Sequence, residues 1–396
     1  MPDHLARAVP APPPPARSVA PACPAVPGVL TEHDILATGE SIARLQAADG
    51  AIGWPDGHTD AWNHTECAMG LSACGLRGPS RRAYEWLRMA QRPDGSWPKR
   101  TMPGGLITDP ASDSNQVAYV ATGVWHEFLV SGDADFARAM WPTVRGAIEF
   151  VLALQAPRGE IAWERGAGGE PGRYALLTGC ASTYQSLRCA VWLAELVGKP
   201  QPDWELAAGQ LGHVVACHPE AFADKSRFSM DWYYPVLAGP LRGQAAWDRL
   251  AAGWDEFVVP GLGVRCVRDE PWVTAAETCE LVLALHAVGD GDRALVLFAE
   301  VQHLRDTDGS YWTGWQFQNQ AHFPAEHSSW TAAAIVLAAD GLCGATSGSH
   351  LFHTAGAAGA EGAMTAVDPA ACGCVAQDGV TLEGVSREGV SRDDGG

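Results

Sequence analysis

Between residues 30 and 342 the chain alternates between two kinds of apolar pattern. Segments such as RRAYEWLRMAQ (81–91) and WPTVRGAIEFVLALQ (141–155) keep charge on one stripe. That is the pattern of a helix that buries one face. Segments such as TCELVLALHAVG (278–289) and TAAAIVLAADG (331–341) are apolar nearly all round, as a helix buried on every side must be. The first kind predicts outer helices over roughly 32–47, 79–91, 134–155, 201–217, 243–257 and 290–304. The second predicts inner helices over roughly 60–75, 114–131, 179–198, 231–240, 274–288 and 327–342. Long Val/Ile/Thr alternation is absent, so strand signals are sparse.

The two kinds are punctuated by a recurring turn, in which a helix ends in Gln, then a Gly turn, then an aromatic. It reads RLQAADGAIGW (44–54), MAQRPDGSW (89–97), ALQAPRGEIAW (153–163) and VQHLRDTDGSYW (301–312). Glycine takes the left-handed conformation that ends a helix, and self-similarity of this kind marks a repeat architecture. Six hairpins, each with an exposed and a buried helix, give an all-α fold, an (α/α)6 toroid. The domain plan is a Pro/Ala-rich disordered tail over 1–29, the toroid over 30–342, and a Gly/acid-rich disordered tail over 343–396.

In such a toroid the heads of the inner helices meet at one mouth. Each head is polar and aromatic before the helix turns apolar. The first offers His58, Asp60, Trp62, Asn63 and Glu66, and the second Asp109, Asp113, Asn115 and Tyr119. The third offers Thr178, Ser182, Tyr184 and Arg188, and the fourth Lys225, Arg227, Asp231, Trp232, Tyr233 and Tyr234. The fifth offers Arg265, Arg268, Trp272, Thr274 and Glu277, and the sixth Trp312, Trp315, His327, Ser328 and Trp330. Helix capping accounts for Asp, Ser and Thr at such places. It does not account for the Trp and Tyr beside them, nor for Glu66 and Glu277 a turn inside apolar helices, where a lone carboxylate is costly.

The net charge of −19, from 27 Lys+Arg against 46 Asp+Glu, argues against nucleic acid or an anionic membrane as partner. No apolar run is long enough for a membrane span, and the first 28 residues lack the apolar core of a secretory signal. Eleven scattered Cys without framework spacing read as reduced thiols of a cytoplasmic protein. A small-molecule substrate is the expected partner. Nothing in the sequence fixes an oligomeric state.

The Gln–Gly–Trp turns and paired helices resemble the α/α-toroid clan of terpenoid cyclases and protein prenyltransferase β-subunits. DSNQVAYVATGVWHEFL, MDWYYPVLAG and PWVTAAETCEL look like bacterial proteins catalogued as prenyltransferases. The resemblance implies an isoprenoid diphosphate substrate in the central cavity. It places Glu277, Cys279 and His327 where that family binds zinc, with Arg265, Arg268, Lys225 and Arg227 for the diphosphate. Two departures stand out: the family acid is normally Asp, and Glu277 and Cys279 lie about 200° apart in helical phase.

The competing resemblance is to six-hairpin glycosidases, whose cavities carry Trp and Tyr for sugar rings and two carboxylates as acid and base. Sixteen Trp and the acids Asp60, Glu66, Asp113, Asp231 and Glu277 suit that chemistry, with Glu66 and Glu277 the expected pair. Trp62, Tyr119, Tyr184, Trp232, Tyr233, Trp272, Trp312 and Trp330 are the candidate substrate contacts under either reading. A toroid that binds a ligand without turnover is the third. Prenyl transfer is the leading expectation.

Overall fold

The computed structural model describes residues 23–352. The outer helices are α1 (Glu32–Leu45), α3 (Arg77–Ala90), α5 (Ala134–Leu152), α7 (Pro202–Cys217), α9 (Gly243–Phe257) and α11 (Gly291–Glu300). The inner helices are α2 (Ala61–Ala73), α4 (Ser114–Ser131), α6 (Leu177–Leu196), α8 (Ser229–Leu237), α10 (Ala275–Ala287) and α12 (Ser329–Cys343). Each inner helix packs on the next, and α12 returns to α2, which closes the ring. This is the (α/α)6 toroid that the alternation of patterns predicts.

The recurring turn is a clamp between hairpins. The side-chain amide of Gln46 donates to the carbonyl of Gly50 (3.0 Å) and to that of Pro79 on α3 (2.9 Å). Gln91 does the same with Gly95 (2.9 Å) and Thr143 on α5 (2.8 Å). Gln155 does it with Gly159 (2.9 Å) and Ala207 on α7 (3.1 Å). Each Gln therefore holds its own turn and the next outer helix at once. In the fourth turn the corresponding place belongs to Arg305, four residues before Gly309, and not to Gln302. Arg305 pairs with Asp34 of α1 at 3.1 Å, and Gly309 lies against Ala37, so this turn joins the last hairpin to the first.

Short strands occupy the loops that lead into the inner helices. Arg100–Met102 pairs with Leu106–Asp109, and Ser112–Asp113 with Glu164–Arg165. Five more, Val258–Val259, Gly263–Arg265, Trp272–Thr274, Gly314–Gln316 and Ala321–His322, form one antiparallel sheet. Strands of two to four residues are too short to show a period-2 pattern, which is why alternation did not reveal them.

The expected tail boundary at 343 moves. Gly344 ends α12 in the left-handed region (φ 65°), and the Asp340 carboxylate accepts from the Thr346 amide at 2.8 Å. A 3-10 helix, Ser347–Phe352, then crosses under α4 and α12. Gln185 of α6 donates to the Leu351 carbonyl at 3.1 Å. The remainder of the two expected tails, 1–22 and 353–396, lies outside the described residues.

Gly95 tests the clamp. Its φ is 89° and an added Cβ would stand 2.0 Å from the Gly146 carbonyl oxygen. Gly95→Ala should cost about 3 kcal/mol, a left-handed backbone penalty plus a backbone clash. Gly75→Ala, with φ 74° and nothing within 4 Å, should cost only about 1 kcal/mol. Urea unfolding of both variants checks the difference, and equal losses would remove the clamp's importance.

Candidate active site

At the mouth a cavity of about 200 Å³ is lined by Trp54, Asp60, Trp62, Asn63, Gln116, Met230 and Trp330. Asp60 caps α2, accepting from the Asn63 amide at 2.8 Å. Its other oxygen accepts from the Trp54 indole N–H, and His58 Nε2 stands 4.0 Å from that oxygen. Burial raises the Asp60 pKa, with these hydrogen bonds pulling the other way. Trp54 stacks on His58 (5.9 Å) and meets Trp330 of α12 at 5.8 Å. The cavity is therefore an aromatic cleft with one carboxyl in its wall.

Below it lies a second tier. Glu66 Oε2 accepts from the Trp62 indole N–H at 2.9 Å. The bond spans one helical turn, because side chains on a helix lean toward its N-terminus. Burial pushes the Glu66 pKa up to about 7. Glu280 of α10 was not among the expected residues. It accepts from Tyr234 at 2.6 Å and from Tyr233, and burial together with neighbouring Glu66 raises its pKa well above the usual range. Its signal in the sequence was the i,i+3 spacing from Glu277, which puts both acids near one face of α10. Tyr119, Glu66, Tyr234, Glu280 and Phe352 surround a space too narrow for a sugar, about 10 Å³.

Glu277 is 4% exposed in the first turn of α10, and its Oε2 has no hydrogen-bond partner. Cys266 lies beside it, and burial and this carboxylate both hold its thiol in the neutral form. The other two expected acids stand outside the cavity wall. Asp113 caps α4 through the Asn115 (2.9 Å) and Gln116 (3.1 Å) amides and accepts from the Trp163 indole at 2.6 Å. Burial lifts its pKa to about 6, against the pull of Lys99. Asp231 accepts from the Thr178 hydroxyl at 2.6 Å and ties α8 to α6; burial raises its pKa too.

Several expected substrate contacts face elsewhere. Tyr184 packs outward on Gly212 of α7, because only glycine there leaves room for the ring. Trp232 donates to the Arg249 carbonyl at 2.7 Å and stacks on Phe257 of α9. Tyr233 is fully buried against Glu280. Trp272 sits edge-on to Phe323 at 5.0 Å in the loop sheet. Trp312 is covered by His322 (4.2 Å) and His327 (3.9 Å). Trp62 and Trp330 line the cavity, and Tyr119 meets Trp62 at 5.5 Å.

The diphosphate and zinc sets do not form. Arg227 pairs with Asp269 at 2.9 Å and Arg268 with Glu256 at 3.2 Å. Arg265 donates to the Arg268 carbonyl at 3.0 Å and lies over Phe317, while Lys225 is exposed. The cavity wall contains no Lys or Arg. Cys279 is fully buried and its thiol is held neutral by burial. His327 is engaged by Asp306 at 3.0 Å. Among the described residues no three His, Cys, Asp or Glu are grouped to hold a metal ion. The helical phase of Glu277 and Cys279 is the physical reason. No described helix is long and apolar enough to cross a membrane.

Over 333 residues the chain is 55% identical to the MMP endo-(1,4)-3-O-methyl-alpha-D-mannosidase of Mycolicibacterium hassiacum, covering 84% of this chain and 92% of that one. The chain belongs to the family of that mannosidase. A second relative, an uncharacterized glycosyl hydrolase of Methanocaldococcus jannaschii, is 26% identical over 191 residues, which is 46% of this chain and 30% of that one. No family model matches. Among solved structures, a wild-type glycosidase superposes with a TM-score of 0.63 at 16% identity, covering 79% of this chain and 98% of its own. A GH63 mannosylglycerate hydrolase of Thermus thermophilus gives 0.61 at 13% identity, covering 76% and 99%. These distant matches show the toroid fold alone. Family membership corrects the prenyltransferase expectation and its transferase class in favour of the six-hairpin glycosidase alternative. The Gln–Gly–Trp turns that suggested the terpenoid clan are hairpin clamps, and the first of them also brings Trp54 to the cavity wall.

Glu66 gives a test of burial. Its folded pKa is raised from 4.5 to about 7, so the contribution of this carboxyl to stability is fully present below pH 4.5 and lost as pH rises through 7. Glu66→Gln still accepts from Trp62 but does not ionise. The variant should match the wild type near pH 4.5 and exceed it by about 2–3 kcal/mol at pH 8. Unfolding free energies at the two pH values check this; a difference independent of pH would mean that Glu66 is not raised.

Proposed function

We propose that the protein is a glycoside hydrolase that cuts internal α-(1,4) bonds of a 3-O-methylated mannose polysaccharide. The observation that carries this reading is the 55% identity across 92% of a mannosidase with that activity in its name. The cavity agrees with it, since aromatic faces stack on the C–H faces of sugars and burial raises the pKa of the Asp60 carboxyl.

Asp60 with Glu277 is the acid–base pair of this proposal, Asp60 for its place in the cavity wall and Glu277 for its buried, unpartnered Oε2. The sequence favoured Glu66, but Glu66 lies in the tier below Trp62, whereas Asp60 is in the cavity wall. Asp60 and Glu277 head α2 and α10, the two neighbours of α12, which carries Trp330. Burial favours the protonated form of Asp60, so Asp60 acts as the acid that protonates the departing glycosidic oxygen. Glu277, with its Oε2 unpartnered, acts as the carboxylate that activates water or attacks the anomeric carbon.

Asp60→Asn and Glu277→Gln should each lower kcat on 3-O-methylmannose polysaccharide by about a thousandfold or more, with unchanged circular dichroism. Reducing-end release and product sizing measure this. Full activity in either variant would remove that residue from the pair. Shortening only from chain ends would overturn internal cleavage. NMR of the first-formed anomer then assigns inversion or retention.

A further inference from the structure

The mechanism leaves two buried acids unused, Glu66 and Glu280, and they meet directly beneath the cavity. We propose that Glu66 is a positioning residue, which fixes the Trp62 indole as the floor on which a sugar ring of the substrate rests. The inference builds on the carbohydrate reading above.

Trp62 joins the two tiers. Its ring lines the cavity, and its N–H is held from below by Glu66 at 2.9 Å. Tyr119 of α4 meets the ring at 5.5 Å with a 46° tilt, and Tyr234 of α8 meets it edge-on at 6.2 Å. Tyr234 is itself held by Glu280 of α10 at 2.6 Å. Two other inner helices, α4 and α8, thus meet one indole, and α10 braces it through Tyr234, although Trp62 lies in the first turn of its own helix. A ring fixed on one edge and braced by two others loses little rotamer freedom when a sugar settles on it.

The two carboxyls need not serve chemistry to be retained. A buried acid is costly unless its lone pairs are satisfied, and here indole and phenol donors satisfy them. Adjacent carboxyls in one apolar site cannot both ionise freely, so at least one keeps its proton. Such a pair is a rigid set of hydrogen-bond groups. Glutamine in place of Glu66 keeps the acceptor for the indole, while alanine removes it.

The role predicts a split between binding and turnover. On 3-O-methylmannose polysaccharide, Glu66→Ala should raise KM about tenfold and leave kcat within about threefold, since it removes binding shared by ground and transition states. Trp62→Phe should raise KM similarly, and Glu66→Gln should restore KM to within about threefold of wild type. Loss of kcat by a thousandfold in Glu66→Gln would overturn the proposal and make Glu66 a catalytic residue. A second readout needs no substrate. The near-ultraviolet circular dichroism band lost in Trp62→Phe should be altered in Glu66→Ala and return in Glu66→Gln. An unaltered band in Glu66→Ala would show that Glu66 does not hold the indole. Wild-type protein inactive on the polysaccharide, with the band behaving as described, would sink the substrate reading and keep the positioning role.

Discussion

The structure depends on one constraint: the inner helices are apolar on all sides, so each needs neighbours all round. A row of such helices would leave its two ends exposed to water at a cost of about 25 cal/mol per Å². Only closure removes the ends. The Gln clamps set the spacing that makes closure possible, because each fixes its turn and the next outer helix with the same amide. Arg305 and Asp34 complete the circuit between the last hairpin and the first. The glycines allow this by bringing turn backbone against helix backbone, which no side chain would permit.

Closure also decides where polar chemistry sits. The loops lead into the inner helices on one face, so six helix heads converge there, three of them capped by the side chains of Asp60, Asp113 and Ser328. An Asp that caps a helix in an isolated hairpin would be half in water. Here Asp60 is 5% exposed, and the low polarity around it raises its pKa. Capping and the acid role proposed for Asp60 are therefore compatible in one residue: one oxygen holds the helix amide and the other is left with an indole at the cavity edge. Asp113 makes the same kinds of bond, one oxygen on helix amides and the other on the Trp163 indole, and differs in standing outside the cavity wall that holds Asp60.

The fold was legible in the sequence because it rests on long periodic segments, and all twelve expected helices match described ones closely. The site was legible only as a region. Position along an inner helix told which residues are near the mouth, but not which way each side chain points. Tyr184 and Trp232 have the composition of cavity residues and pack outward, because glycines on the facing helices, Gly212 and Gly253, leave room for them. Trp54 and Glu280 were missed for the opposite reason. Trp54 belongs to a turn that repeats elsewhere as structure, and Glu280 sits deep in an otherwise apolar run. Lys225, Arg227 and Arg268 looked like an anion site until their partners and exposure were visible.

The same reasoning shows why the architecture could not separate prenyl transfer from glycoside chemistry. Both need a closed toroid, so both need clamps between hairpins. What differs is the lining of the space they create: an isoprenoid diphosphate asks for an apolar pocket with a basic rim, a sugar for aromatic faces and acids. The described lining has three Trp and Asp60 and no basic residue. The lower end is filled, since Ser347–Phe352 passes beneath the inner helices and Phe352 closes the narrow space under Glu66. A cavity open at one end cannot thread a polymer. Under the proposed function, a polysaccharide cut at an internal bond would lie across the mouth, with one sugar dipping toward Trp62.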